Sequence, residues 1–136
     1  MAIVADAFRG LFATKQKEKE SLQDYTRRFV TQKDVLESHI GALIALLKIV
    51  EKMLGYNVND DAIIEKLSKE AHKAFMAYLY LEKADEKIYG SVLMNLHSQQ
   101  SLDNDQFPRT IIAMTNVLSN HKFDKKTRLN KENRQG

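Results

Sequence analysis

An all-α fold is the architecture this sequence predicts, and three observations predict it. Apolar residues recur at three- and four-residue intervals along most of the chain. A single Pro and five isolated Gly leave few places for the tight turns that hairpins need. No segment alternates apolar and polar residues with the two-residue period of a half-buried strand. With 136 residues, 43% of them hydrophobic and 29% charged, the chain is long enough to bury roughly two-thirds of its unfolded surface around one core. The expectation is a compact bundle of about five helices, with a short helix in front of it and a basic tail behind.

Ile3, Val4, Ala7, Phe8, Leu11 and Phe12 share helical spacing and predict a short amphipathic helix over 3–12, which alone has nothing to pack on. The polar run KQKEKE at 15–20 interrupts the pattern. Ser21, followed by Asp24, is an S-x-x-D variant of the capping box and starts a helix to about Ser38, with Leu22, Tyr25, Phe29, Leu36 and Ile40 on one face. After Gly41, the residues Leu43, Ile44, Leu47, Val50 and Leu54 predict a second helix that Gly55 ends as a C-cap. Asn59 or Asp60 caps a third, in which Ile63, Ile64, Leu67, Ala71, Phe75, Tyr78 and Leu79 keep the period to about Leu81. A fourth starts at Asp85 or Glu86 and runs through Ile88, Val92, Leu93 and Leu96. The polar SQQSLDNDQ reads as a linker delivering the chain to Pro108, which suits the first turn of a last helix. Ile111, Ile112, Met114, Thr115 and Leu118 carry that helix to about Asn120. KFDKKTRLNKENRQG has almost nothing apolar and is expected to be disordered.

The net charge of +3 is unevenly placed. Residues 122–136 hold six basic side chains, Lys122, Lys125, Lys126, Arg128, Lys131 and Arg134, against Asp124 and Glu132, leaving 15 basic and 16 acidic residues elsewhere. The basicity therefore belongs to the tail. A flexible basic segment gives salt-sensitive attraction to RNA phosphates, and these six are the candidate RNA contacts.

Chemistry finds little foothold. The absence of Cys removes disulfides, thiolate zinc sites and Cys nucleophiles. Gly90 and Ser91 lie inside a predicted helix and form no nucleophile elbow. His39, His72, His97 and His121 lack metal-ligand spacing and read as surface or boundary residues. Asp103 and Asp105 begin like a calcium loop, which Phe107 and Pro108 break, and no Gly-rich loop can cradle a phosphate. The expectation is no enzyme, no cofactor, no metal and no small-molecule substrate. GALIALLKIVEKMLG is too short and too charged to span a bilayer, and MAIVADAFRGLF lacks a secretory signal's basic flank, so a cytoplasmic protein without membrane attachment is expected. In FMAYLYLEKADEKIYG, Tyr78, Tyr80 and Tyr89 are too many to be expected all to point inward. Met53, Tyr56, Tyr78 and Tyr80 are the candidate self-association surface.

The most specific spacing lies in KQKEKESLQDYTRRF, residues 15–29. Gln16 is followed by Glu20, Leu22, Tyr25, Arg28 and Phe29 at four, six, nine, twelve and thirteen residues. This Q-x3-E-x-[apolar]-x2-Y-x2-R-F pattern resembles the major homology region that opens the C-terminal capsid domain of Gag proteins in retroviruses and LTR retrotransposons, the copia-like elements in particular. The order of a Tyr-rich helix, a polar loop and a Pro-started helix in residues 77–124 is also similar to the later helices of retrotransposon Gag. The resemblance implies a structural capsid protein that self-associates into a particle around element RNA. It implies a division into 1–14 as the end of a preceding capsid helix, 15–121 as the capsid C-terminal domain and 122–136 as the tail, the chain being a fragment or degenerate copy. Gln16, Glu20 and Arg28 would form a structural network, the Arg fork reaching back from its helix to the segment before it, and Leu22, Tyr25 and Phe29 would be core. Two departures stand out: Lys17 occupies the position where retroviral versions have Gly, and no Cys-based zinc knuckle follows. The alternative is an all-α adaptor or RNA-associated binding protein without assembly activity.

Overall fold

The computed structural model describes residues 2–40 and 47–121, and among them every regular element is an α-helix. These are α1 (Ala2–Ala13), α2 (Leu22–Ile40), α3 (Leu47–Val50), α4 (Asp61–Glu82), α5 (Glu86–Ser101) and α6 (Ile111–Asn120). No helix among the described residues is long and apolar enough to cross a membrane.

Helix starts follow local chemistry. The Ser21 hydroxyl accepts from the Asp24 amide at 3.0 Å, Asp60 accepts from Ile63 at 3.1 Å and Asp85 from Lys87 at 2.9 Å. Each satisfies an amide the helix itself leaves without a partner. The last helix departs from expectation. Pro108 does not lie in its first turn: the helix starts at Ile111 with Thr110 as its N-cap, accepting from Ala113 at 3.1 Å with extended backbone angles, because a hydroxyl answers a first-turn amide.

Two other boundaries are corrected. The polar SQQS, expected in a linker, is the last turn of α5, since Gln is a good helix former and Leu102 closes the end. Of the expected 43–54 helix, Leu43 and Ile44 lie outside the described residues, and among the described ones only α3 is α-helical. Beyond it Lys52, Met53 and Tyr56 donate to carbonyls three residues back, and Gly55 turns the chain at φ 87°. Tight three-residue bonds and a left-handed Gly reverse direction into α4 where a longer helix would overshoot.

Helix α4 is the centre of the bundle, touching α2, α3, α5 and α6. The main core gathers Leu11, Tyr25, Phe29, Leu36, Met76, Tyr80, Met114 and Leu118, and a smaller cluster of Val50, Leu67 and Ala71 lies under Met53, Tyr56 and Ile63. The first helix is not left without packing. It lies along α2 with Ala7 and Leu11 in the main core, and the Gln32 side chain of α2 reaches over Gly10, where a Cβ would stand 2.6 Å from its Oε1 and push that side chain aside.

Tyr80 and Tyr89 are both buried, which corrects the placing of Tyr80 on a self-association surface. Its ring stacks on Tyr25 at 5.1 Å and meets Phe29 edge-on at 5.4 Å. Its hydroxyl reaches Thr26 at 2.6 Å and Thr115 at 3.3 Å, which gives the polar tip partners inside the core. His72 is likewise buried and not a boundary residue, its Nε2 lying 2.8 Å from a Glu37 carboxylate oxygen on α2 that also faces Lys33.

Candidate functional site

The candidate site is built where the chain leaves α1 and enters α2. Thr14 ends α1 by returning its hydroxyl to the Gly10 carbonyl at 2.7 Å. Gln16 then turns inward and is buried to 4% exposure. Its backbone amide donates to the Lys83 carbonyl at 2.9 Å, its side-chain nitrogen donates to the Glu20 carbonyl at 3.0 Å, and its side-chain oxygen accepts from the Asp85 amide at 2.8 Å. One residue thus clamps the 14–20 segment to the junction of α4 and α5. A buried amide side chain is tolerated because both of its ends are satisfied.

Residues 17–20 form a tight turn. Glu20 N–H donates to the Lys17 carbonyl at 3.0 Å, and Lys17 N–H donates to Glu20 Oε1 at 2.9 Å. Lys19 takes the left-handed conformation, φ 68°. Among the described residues only Lys19 and Asp103 combine a side chain with positive φ, so position 17 makes no conformational demand for Gly. A lysine is therefore accommodated at position 17 without backbone strain.

Arg28, on the second turn of α2, reaches back over this loop. Its Nε donates to Glu20 Oε2 and one terminal nitrogen to Glu20 Oε1, both at 2.7 Å, and the same nitrogen donates to the Lys15 carbonyl at 2.7 Å. Fork-to-carboxylate geometry is the strong form of an ion pair. The Arg28 bonds hold the Glu20 carboxyl down at about 2 against the opposing effect of desolvation, and the same pairing raises the guanidinium. Glu20 keeps 11% of its side-chain surface and Arg28 38%.

Below the network, Tyr25 and Phe29 are fully buried, and Leu22 packs against the same core from its edge. The Tyr25 hydroxyl donates to the Tyr80 carbonyl at 2.6 Å, and burial raises its phenol well above the usual range. Gln16, Glu20 and Arg28 are therefore brought together in one hydrogen-bonded unit, with Leu22, Tyr25 and Phe29 on its inner side. Sequence reasoning missed the far half of this unit. The Lys83 carbonyl, the Asp85 amide and Tyr80 lie more than fifty residues away, and only the helix-capping chemistry of Asp85 gave a local signal.

The remaining candidates fall elsewhere. Met53 and Tyr56 are half-buried over the smaller cluster, and Tyr78 is half-buried against His97 and Phe107 at 5.9 and 5.6 Å. Lys122, Lys125, Lys126, Arg128, Lys131 and Arg134 lie outside the described residues. Among the described residues no group of three His, Asp or Glu is arranged to hold a metal ion. What the Gln16–Glu20–Arg28 unit can do chemically is fix a loop: its donors and acceptors are turned on one another. Comparison with family models, curated proteins and solved structures finds no match for the chain.

Proposed function

We propose that the chain is a Gag-like capsid domain of a copia-like retrotransposon, which self-associates and packages element RNA. One observation carries the reading. The three polar positions of the major-homology spacing, Gln16, Glu20 and Arg28, close into a single network with distances of 2.7–3.0 Å between them. Motif residues that met only in sequence would not be expected to share bonds in space. The network locks the loop onto α2 and onto the α4–α5 junction, which gives a rigid unit for repeated weak pairing. No residue in it acts as a nucleophile, acid or base, and the role is structural.

The partners are further copies of the chain, and RNA is gathered by the six basic residues of the tail, whose counterion release makes binding salt-sensitive. Mixing the full chain with single-stranded RNA at low salt and sedimenting the product tests this. Rapidly sedimenting, nuclease-protected particles are expected, and their loss on raising the salt. A chain that neither sediments with RNA nor shields it from nuclease would contradict the proposal.

A further inference from the structure

Away from the network, a groove of about 940 Å³ lies between the α3–α4 turn, α4 and the loop into α6. Ala71 and Ala74 on α4 form its floor, and Phe75, Tyr78 and Phe107 are among its walls. Two apolar side chains there are exposed in a way that fold stability does not explain: Leu54 is 99% exposed and Ile49 54%. Leu54 and Ile49 belong to the rim of the groove itself. A knob and a hole in one patch are what an isologous contact requires, because a two-fold axis sets each knob over the other copy's hole.

The charges on the rim fit the same partner. Lys52, Lys73 and Arg109 are basic, and Glu70 and Asp105 are acidic. Lys52, Lys73 and Glu70 form no ion pair among the described residues, while Asp105 is paired with Arg109. With Asp105 and Arg109 turned on each other, Lys52, Lys73 and Glu70 remain to meet a partner, and a surface carrying both signs fits a second copy of itself better than a uniformly charged peptide. We infer that this groove is the interface between two copies of the chain, Leu54 of each seated in the groove of the other and Lys73 of each opposite Glu70. The inference rests on the self-association reading and assigns it a place.

The first test is sedimentation of the full chain beside Leu54→Asp. A side chain with 99% exposure has no folding role, so the expected variant keeps the wild-type helical signal and melting temperature. Its mass falls from twice 15.6 kDa to the single-chain value. The second test uses opposite charge variants, Lys52→Glu with Lys73→Glu in one chain and Glu70→Lys in another. Each alone is expected to be monomeric, and an equal mixture is expected to recover the dimer. This remains informative should Leu54→Asp misfold. A Leu54→Asp chain that dimerises like wild type, or a charge mixture that stays monomeric, overturns the interface while wild-type association leaves the functional reading standing. A wild type that is monomeric at every concentration overturns both.

Discussion

Replacing Arg28 with Ala removes a forked ion pair to Glu20 and a bond to the Lys15 carbonyl, all at 2.7 Å. The size of the loss follows from linkage. A Glu20 carboxyl lowered from 4.5 to about 2 corresponds to roughly 3 kcal/mol. Arg28 keeps 38% of its side-chain surface, and solvent screening trims the figure to about 1–2 kcal/mol. The Lys15 bond adds about 1 kcal/mol, so Arg28→Ala should cost about 2–3 kcal/mol, or about 6–12 °C in melting temperature for a chain of this size. The sign of the pH dependence is fixed as well. The folded carboxyl titrates below the unfolded one, so the stabilisation is complete above pH 4.5 and is lost as pH falls from 4.5 toward 2. Circular-dichroism melts of wild type and Arg28→Ala at pH 7 and near pH 2 measure both quantities. The gap between the two proteins should be widest at pH 7 and should shrink in acid. A gap within about 1 °C at pH 7, or one that does not change with pH, would refute the reasoning.

Gln16→Ala should cost about 2–3 kcal/mol in a urea titration, because it leaves the buried Asp85 amide without its acceptor; a change under about 0.5 kcal/mol would remove Gln16 from the clamp. Tyr80→Phe keeps the ring stack and loses the hydroxyl contacts to Thr26 and Thr115, so about 1 kcal/mol of stability should go. That loss is limited because both threonines also bond a carbonyl of their own helix at 2.7 Å. Lys19→Gly should stabilise the fold by about 0.5–1 kcal/mol of relieved left-handed strain at φ 68°, seen as a slight rise in melting temperature, and a drop would show that the lysine side chain contributes more than its backbone costs.

Helix starts were legible because they depend on atoms two or three residues apart. Ser21, Asp60 and Asp85 each carry an oxygen that a nearby amide needs, and the apolar period of Leu22, Tyr25 and Phe29 points at the core that holds them. What failed was set by longer-range competition. Thr110 displaced Pro108 as the start of α6 because a hydroxyl cap outweighs a compatible ring. The length of the segment after Val50 was decided by the need to turn into α4, for which Gly55 was the only local sign. At the candidate site, the spacing of Gln16, Glu20 and Arg28 was readable because all three lie within one loop and two helical turns. Their anchorage on Lys83 and Asp85 was not, since a contact across 69 residues leaves no periodic trace. Tyr80 was misplaced for a related reason: a Tyr hydroxyl looks outward-facing until Thr26 and Thr115 arrive from two other helices to receive it.

Light scattering on the purified full chain across a rising concentration series tests the capsid reading most directly. Self-association predicts a mass that climbs from 15.6 kDa toward the dimer and beyond as concentration increases. A mass fixed at the single-chain value throughout, with the helical fold intact, would contradict it.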